Sequence, residues 1–291
     1  MKNTWTATPP ESWEKQTAVI LAGLFSSALA ISTILHHLYP HVLAVPDLPP
    51  PRVMPYVSYW MELAIGDVTS LIIAGFAFYH CLKKYGLGMA ALFFFGSMIF
   101  SGLEENEWIL LSGRLLGNDT YFFTRGGLWF LEIPFYTCLG WYFISYCSFE
   151  IFEIVGYRWP RMIRAAAAGI FAMSLDFFCD PLLVNIGATM DPPQPYGLWV
   201  WENANTLRLF SIPMMNFVGW ALLVFLFCYL FGFILDKKTS GLYSPGKMIR
   251  VFFLAFPVML LICYVSLSGL ESVFQGLWSR INIFPIDFPV K

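Results

Sequence analysis

Two aspartates, Asp176 and Asp180, have the spacing in this sequence that most directly suggests chemistry. They lie four residues apart in an apolar stretch, so a helix places both carboxyl groups on one face, about 6 Å apart at Cβ. Two carboxyls that close in a medium of low dielectric cannot both ionise easily, and one of them keeps its proton. Such an acid in an apolar pocket is what protonation of an unactivated carbon–carbon double bond requires. The structural alternative is that Asp180, which precedes Pro181, ends the helix, while Asp176 bonds to a neighbouring helix.

A second acidic group, Glu104-Glu105-x-Glu107, follows another apolar stretch. An ionisable group inside a membrane costs about 2.5–3.5 kcal/mol on insertion scales, so it usually faces the interior of a helix bundle and has a function. We expect Glu104 to be a second candidate acid and Glu105 to point outward. A solvated helix end is the alternative, and it explains at least one of the three glutamates.

Aromatic residues accompany these acids. Trp199 and Trp201 alternate along the chain, which places both rings on one face of an extended segment. Tyr121, Trp129, Tyr136 and Trp141 lie in and around another apolar stretch, residues 128–149. Two interpretations stay open for these rings: they form the aromatic belt of a membrane protein, or they line an apolar cavity and stabilise a cation through their π faces.

The composition indicates that membrane-spanning helices position these residues. Of the 291 residues, 58% are hydrophobic, 19% aromatic and 12% charged, and the mean hydropathy is +0.64. A soluble domain has about 45–50% apolar and about 25% charged residues. These values exclude a soluble enzyme and a disordered chain, and the net charge of −2 gives no basic face for nucleic acid. We expect the protein to be a multi-pass protein of the cell membrane, surrounded by the lipid bilayer.

The chain contains seven stretches with the roughly 20 mostly apolar residues that a helix needs to cross a bilayer. The predicted fold is therefore an all-α, polytopic integral membrane bundle that forms a single transmembrane domain over residues 1–291. The predicted spans are 17–39, 57–82, 87–111, 128–149, 162–183, 213–235 and 248–270. Residues 40–55 are rich in proline and are expected to form a non-helical surface loop.

Charged residues indicate how the bundle is oriented. With seven spans, most of the 17 Lys and Arg fall on the N-terminal side, which predicts a cytoplasmic N-terminus. Acidic residues gather in the opposite, outer half of the bundle, with few basic residues to neutralise them. These acids are Glu62, Asp67, Glu104, Glu105, Glu107, Glu132, Asp176, Asp180 and Glu202.

The sequence lacks the motifs of metal and phosphate-cofactor sites. It has only four histidines, and its six cysteines are scattered through apolar stretches without a C-x-x-C pair. We therefore expect no metal and no cofactor, and we interpret the cysteines as small core residues.

Two groups of motifs follow one another in order along the chain. The more specific group comprises Asp176-x3-Asp180-Pro181, Gly197-x-Trp199-x-Trp201 and Ile212-Pro213-x-x-Asn216-Phe217-x-Gly219-Trp220. The looser group lies within Gly117–Trp141 and includes Glu132-Ile-Pro134. Together they resemble the carotenoid biosynthesis membrane proteins typified by the bisanhydrobacterioruberin and carotenoid 1,2-hydratases, over about residues 60–235.

The resemblance implies a cofactor-independent hydratase, a carbon–oxygen lyase that adds water across a terminal double bond of a long isoprenoid polyene. In this chemistry a carboxylic acid protonates the alkene, aromatic rings stabilise the tertiary cation, and a carboxylate directs water to it. The implied catalytic residues are Asp176, Asp180, Glu104 and Asn216. Asn216 either orients the water or forms a structural hydrogen bond between helices. The implied substrate-binding residues are Trp199, Trp201, Glu62, Tyr121, Trp129 and Glu202.

Three alternatives stay open. A membrane terpene or polyprenyl cyclase would use the same acid, but a neighbouring double bond would capture the cation. A transporter-like or receptor-like seven-helix protein would use its acids to bind a cation or an amine, although the sequence shows no inverted repeat. A non-catalytic partner of a carotenoid pathway would need none of this chemistry.

Overall fold

The structure is a computed structural model that describes residues 10–39, 63–116, 120–123, 126–186, 197–201, 206–279 and 281–284. Within these ranges, seven helices are long and apolar enough to cross a membrane, which confirms the predicted all-α, polytopic fold. They are α1 (Ser12–Leu38), α2 (Leu63–Tyr85), α3 (Leu87–Asn106), α4 (Phe135–Val155), α5 (Arg161–Asn185), α6 (Met214–Thr239) and α7 (Pro245–Trp278). The cytoplasmic N-terminus and the single domain stay predictions.

Short strands occupy one end of the bundle, where α3 and α5 end and α4 and α6 begin; we call it the strand end. The strands are β1 (Tyr121–Phe123), β2 (Trp129–Phe130), β3 (Ile133–Pro134), β4 (Trp199–Trp201), β5 (Arg208–Leu209), β6 (Ile212–Pro213) and β7 (Asn282–Ile283). β1 pairs with β4, β2 with β3 and β5 with β6, all antiparallel, and β5 also pairs with β7 in parallel. At the opposite end, which we call the basic end, α2, α4 and α6 end and α3, α5 and α7 begin.

Prolines mark where four of the helices start. Pro134, Pro160 and Pro213 each directly precede a helix, and Pro245 is the first residue of α7. Proline lacks a backbone N–H, and the first turn of a helix has no partner for that donor, so proline starts a helix at little cost. Gly86 separates α2 from α3 with a φ of +84°, a conformation that glycine adopts without strain.

Helix α3 lies at the centre of the bundle. Its apolar 18-residue window is 72% buried, whereas the windows of the other six helices are at most 50% buried. The ring of Phe93 on α3 lies 4.6–5.7 Å, between centroids, from the rings of Tyr146, Phe149, Phe227 and Phe231. Neighbouring helices therefore cover most faces of α3.

The two largest differences between the predicted span boundaries and the structure are at the fourth and the last helix. The fourth helix begins at Phe135 and not at residue 128, because β2 and β3 form a hairpin whose turn residue Leu131 has a φ of +54°. The hairpin is apolar and buried, so its hydropathy resembles that of a helix. The last helix continues to Trp278, beyond the predicted residue 270. The predicted 40–55 loop and the start of the second span lie outside the described residues.

Candidate functional site

Asp176 and Asp180 lie on one face of α5, as their spacing predicts, and each is only 1% exposed. Asn216, near the start of α6, joins them: its Nδ2 donates to Asp176 Oδ2 at 2.7 Å and to Asp180 Oδ2 at 2.6 Å. An amide NH₂ has two hydrogens, so both are used and the amide oxygen of Asn216 remains as an acceptor. The two aspartates and Asn216 therefore form one unit that links α5 to α6.

This unit has little other hydrogen bonding. Asp176 Oδ1 is buried and has no hydrogen-bond partner within the described ranges. Asp180 Oδ1 is also buried and has no hydrogen-bond partner in that part of the chain. An unpaired buried oxygen costs about 1–3 kcal/mol, so a purely structural role leaves Asp176 poorly compensated.

A second pair of carboxyls, Glu104 and Glu105, lies at the end of α3 and is 6% and 8% exposed. Trp108 Nε1 donates to Glu104 Oε1 at 3.0 Å. Glu105 accepts one hydrogen bond from the Tyr121 hydroxyl and another from Trp141 Nε1 at 2.8 Å. The prediction that Glu105 points outward is wrong, because α3 is central and its neighbours cover this face too.

The hydroxyl of Tyr121 is a fixed donor in this group. Burial raises the pKa of Tyr121 well above its ordinary value, and the nearby Glu105 and Glu104 raise it further. The phenol therefore stays protonated and continues to donate to Glu105. The two hydrogen bonds to Glu105 favour its ionised form, whereas its burial favours the neutral form.

A cavity of about 70 Å³ opens between these groups. Three glutamates, Glu104, Glu105 and Glu271, line it together with the amide of Asn216. Its walls are aromatic, consisting of Trp108, Tyr121, Trp141, Trp201 and Trp220. The cavity is large enough for several water molecules or for a small branched hydrocarbon group.

Pairing of β1 with β4 closes one side of the cavity. Tyr121 lies opposite Trp201 in this pair, and their ring centroids are 4.6 Å apart. On the other side, the rings of Trp141 and Trp220 lie 4.2 Å apart. The extended conformation predicted for Trp199–Trp201 is thus present, and it carries Trp201 into the cavity wall.

Comparison with protein families matches residues 66–284 to a family described as carotenoid biosynthesis protein. The chain belongs to this family. The match covers Glu104, Glu105, Asp176 and Asp180 and the whole cavity wall. No curated protein and no solved structure matches the chain. The protein is a multi-pass membrane protein with a carotenoid-related function.

Asp67, another of the acids predicted to gather in the outer half, has a structural position in this family member. Its Oδ1 accepts from the backbone N–H of Tyr136 at 3.0 Å, and its Oδ2 accepts from that of Leu128 at 2.9 Å. Tyr136 lies in the first turn of α4, where backbone N–H groups have no partner within the helix. Asp67 therefore caps α4 from α2.

Trp129 and Glu132 lie in the β2–β3 hairpin and do not line the cavity. The Trp129 indole stacks on His36 of α1, with centroids 4.1 Å apart. The Glu132 backbone N–H donates to Asn106 Oδ1 at 2.8 Å, and its carboxyl lies 3.9 Å from His36 Nε2. These contacts join α1, the hairpin and α3.

Of the predicted site residues, Glu62 and Glu202 lie outside the described residues. Trp108, which lines the cavity, was not among the predicted site residues; its i,i+4 spacing from Glu104 is a signal that sequence inspection offers. Within the described part of the chain, no three His, Cys, Asp or Glu side chains are grouped to hold a metal.

Proposed function

We propose that the protein is a hydratase that adds water across the terminal isoprenoid double bond of a carotenoid-like polyene. The observation that carries this proposal is a cavity with aromatic walls into which two buried carboxyls, Glu104 and Glu105, project. The hydrogen bonds to these carboxyls come from neutral side chains, namely indole N–H and phenol O–H groups. A neutral surrounding lets one carboxyl hold a transferable proton, which a salt bridge would oppose.

In our proposal Glu104 is the acid. It lines the cavity, whereas Asp176 and Asp180 are separated from the cavity by Asn216. Trp108 fixes Oε1 of Glu104, so the proton is carried on Oε2. The proton passes to the less substituted carbon of the double bond, and the electron pair of the π bond forms the new C–H bond. A tertiary cation is left on the other carbon.

Glu105 and the surrounding rings stabilise that cation. In our proposal Glu105 acts as a carboxylate next to the cavity: the hydrogen bonds from Tyr121 and Trp141 favour its ionised form against the opposing effect of burial, and a negative charge there favours a positive charge that develops beside it. The faces of Trp141 and Trp220 add cation–π attraction. These groups are in place before the reaction, so no reorganisation is needed when the charge appears.

Asn216 orients the water. Both of its amide hydrogens are used by the aspartates, so its Oδ1 is the atom that can accept a hydrogen from a water molecule in the cavity. That water directs a lone pair to the cation and forms the C–O bond. Its released proton returns to Glu104, which restores the acid and leaves a tertiary alcohol.

The test is expression in a lycopene-producing bacterium, followed by mass spectrometry of the extracted pigments. We expect the wild type to produce lycopene that has gained one or two molecules of water, with the oxygen derived from labelled solvent water. Glu104→Gln should lower this conversion by about 10²–10⁴-fold, the usual contribution of a general acid. Glu107→Gln is the matched control, because Glu107 is close in sequence but does not line the cavity.

Three outcomes contradict the proposal. A new product of unchanged mass would identify a cyclase or isomerase that uses the same acid. Unaltered lycopene with correctly folded wild type would exclude hydration of this substrate. Full activity of Glu104→Gln together with loss in Asp176→Asn or Asp180→Asn would assign the acid to the aspartate pair.

A further inference from the structure

We propose that the polyene chain leaves the cavity between α6 and α7, past Gly219, and that the small size of this residue determines which substrates can bind. The inference rests on the proposed function, because it concerns the unreacting remainder of the same substrate. A cavity of about 70 Å³ holds one end group only, so a long polyene needs a path from the cavity to the lipid.

The wall at Gly219 has the space for such a path. Gly219 on α6 lines the cavity opposite Leu267 and Glu271 of α7. A Cβ atom placed on Gly219 would have one neighbour within 4 Å, Leu267 Cδ1, at the ordinary contact distance of 3.6 Å. The space next to this glycine is therefore open, and a larger side chain would extend into it.

Other glycines inside the bundle have a different role. A Cβ atom on Gly96 would lie 2.5 Å from the Phe252 ring, and one on Gly102 would lie 2.8 Å from the Phe130 ring. Those glycines permit close packing of neighbouring elements. Packing does not explain Gly219, because its neighbour on α7 leaves room for a methyl group.

Helix α7 is the most exposed of the helices that form the cavity wall. Among the helices that line the cavity, α3, α4, α6 and α7, its apolar window is the least buried, at 28%. Leu267 faces the cavity and is 3% exposed, whereas the adjacent Val265 and Leu270 are 61% and 38% exposed. The exposed side chains of α7 lie directly behind this wall, so a polyene that passes Leu267 and the carboxyl of Glu271 reaches the apolar outer surface of the bundle.

Three glycine substitutions test this path. Gly219→Leu should fill the opening, while Gly219→Ala should leave it, since the added methyl group makes only ordinary contact. Gly269→Leu is the matched control: Gly269 is an exposed position on α7 with no atom within 4 Å of its Cβ position. All three proteins are purified from a lycopene-producing bacterium, and the bound pigment per protein is measured by absorbance.

We expect Gly219→Leu to retain about tenfold less pigment than the wild type, the scale on which a filled hydrophobic pocket discriminates. Gly219→Ala and Gly269→Leu should match the wild type. Equal pigment in Gly219→Leu, an equal loss in Gly269→Leu, or a wild type that carries no pigment would each overturn the inference.

A second measurement separates this inference from the proposed function. Pigment retention needs no turnover, so a wild type that binds lycopene without hydrating it contradicts the hydratase alone. With a short acyclic isoprenoid that carries the same end group, Gly219→Leu should lose less activity, relative to the wild type, than it loses with lycopene, because no long chain has to leave the cavity. An equal loss with both substrates in folded protein would instead place the side chain of Leu at the reacting end, and the path would be wrong.

Discussion

The two ends of the bundle hold their carboxyl groups in different ways. At the basic end, Arg161 forms an ion pair with Glu153 and donates to Asp236 at 2.6 and 3.0 Å. Arg164 donates to the other oxygen of Glu153 at 2.6 Å. At the strand end, the donors are the neutral side chains of Asn, Tyr and Trp, and the carboxyls that they bond are those of Glu104, Glu105, Asp176 and Asp180.

This difference separates scaffold from chemistry. Glu153, Arg161 and Asp236 belong to α4, α5 and α6, so their ion pairs fasten three helices together. Both carboxylate oxygens of Glu153 accept from guanidinium groups, which makes this carboxylate part of the scaffold. In our proposal, the carboxyls at the strand end, whose donors are neutral, serve proton transfer instead.

The largest effect that would test this comparison is on stability. Glu153→Gln removes the charge that compensates Arg161 and Arg164, whose side chains are 13% and 16% exposed. Arg161 keeps Asp236 as a partner, but Arg164 loses its carboxylate, so the free energy of unfolding should fall by about 3 kcal/mol. Thermal unfolding in detergent measures the loss. Activity per folded molecule should stay at the wild-type value.

The opposite pattern is expected at the strand end, where Glu104→Gln should lower activity and leave thermal stability nearly unchanged. Because the Gln carbonyl can still accept from Trp108, the amide keeps the hydrogen bond of the acid it replaces. A Glu153→Gln protein that folds normally but loses hydration would contradict the division between the two ends.

Much of the fold could be predicted from hydropathy, because a helix that crosses a bilayer needs a long apolar stretch whatever its neighbours are. The hairpin before Phe135 could not, since its buried residues are as apolar as those of a helix. The i,i+4 spacing of Asp176 and Asp180 correctly predicted a shared face.

The partners of the site residues depend on tertiary structure. Asn216 is 36 residues or more from each aspartate it joins, and nothing in local spacing pairs them. Whether Glu105 faces lipid or core depends on the central position of α3. That helix is apolar on all sides, so periodicity does not distinguish its faces.

A smaller effect would show how the aspartate pair acts. If Asp176 positions Asn216, then Asp176→Asn should keep most of the activity, because an amide oxygen can still accept from Nδ2. Asp176→Leu should lower the rate by about 10²-fold, the cost of misplacing a positioned group. Single-turnover rates and the substrate KM are the measurements. A complete loss in Asp176→Asn with normal folding would show that the aspartate transfers a proton.

The smallest expected effect concerns aromatic rings next to cations, which occur at both ends. At the basic end, Lys238 Nζ lies 5.7 Å from the ring centroid of Trp13, a permanent pair. At the strand end, Trp220 lines the cavity beside Trp141, and in our proposal its cation exists only during the reaction. Trp220→Leu should therefore lower the hydration rate by about tenfold, the equivalent of one desolvated cation–π contact, and Trp220→Phe should recover most of it. Trp13→Leu should leave the rate unchanged and affect only thermal stability, since a ring that stabilises a resident cation contributes equally before and during the reaction. Equal loss of rate in Trp220→Phe and Trp220→Leu would mean that Trp220 acts by its shape and not by its π face.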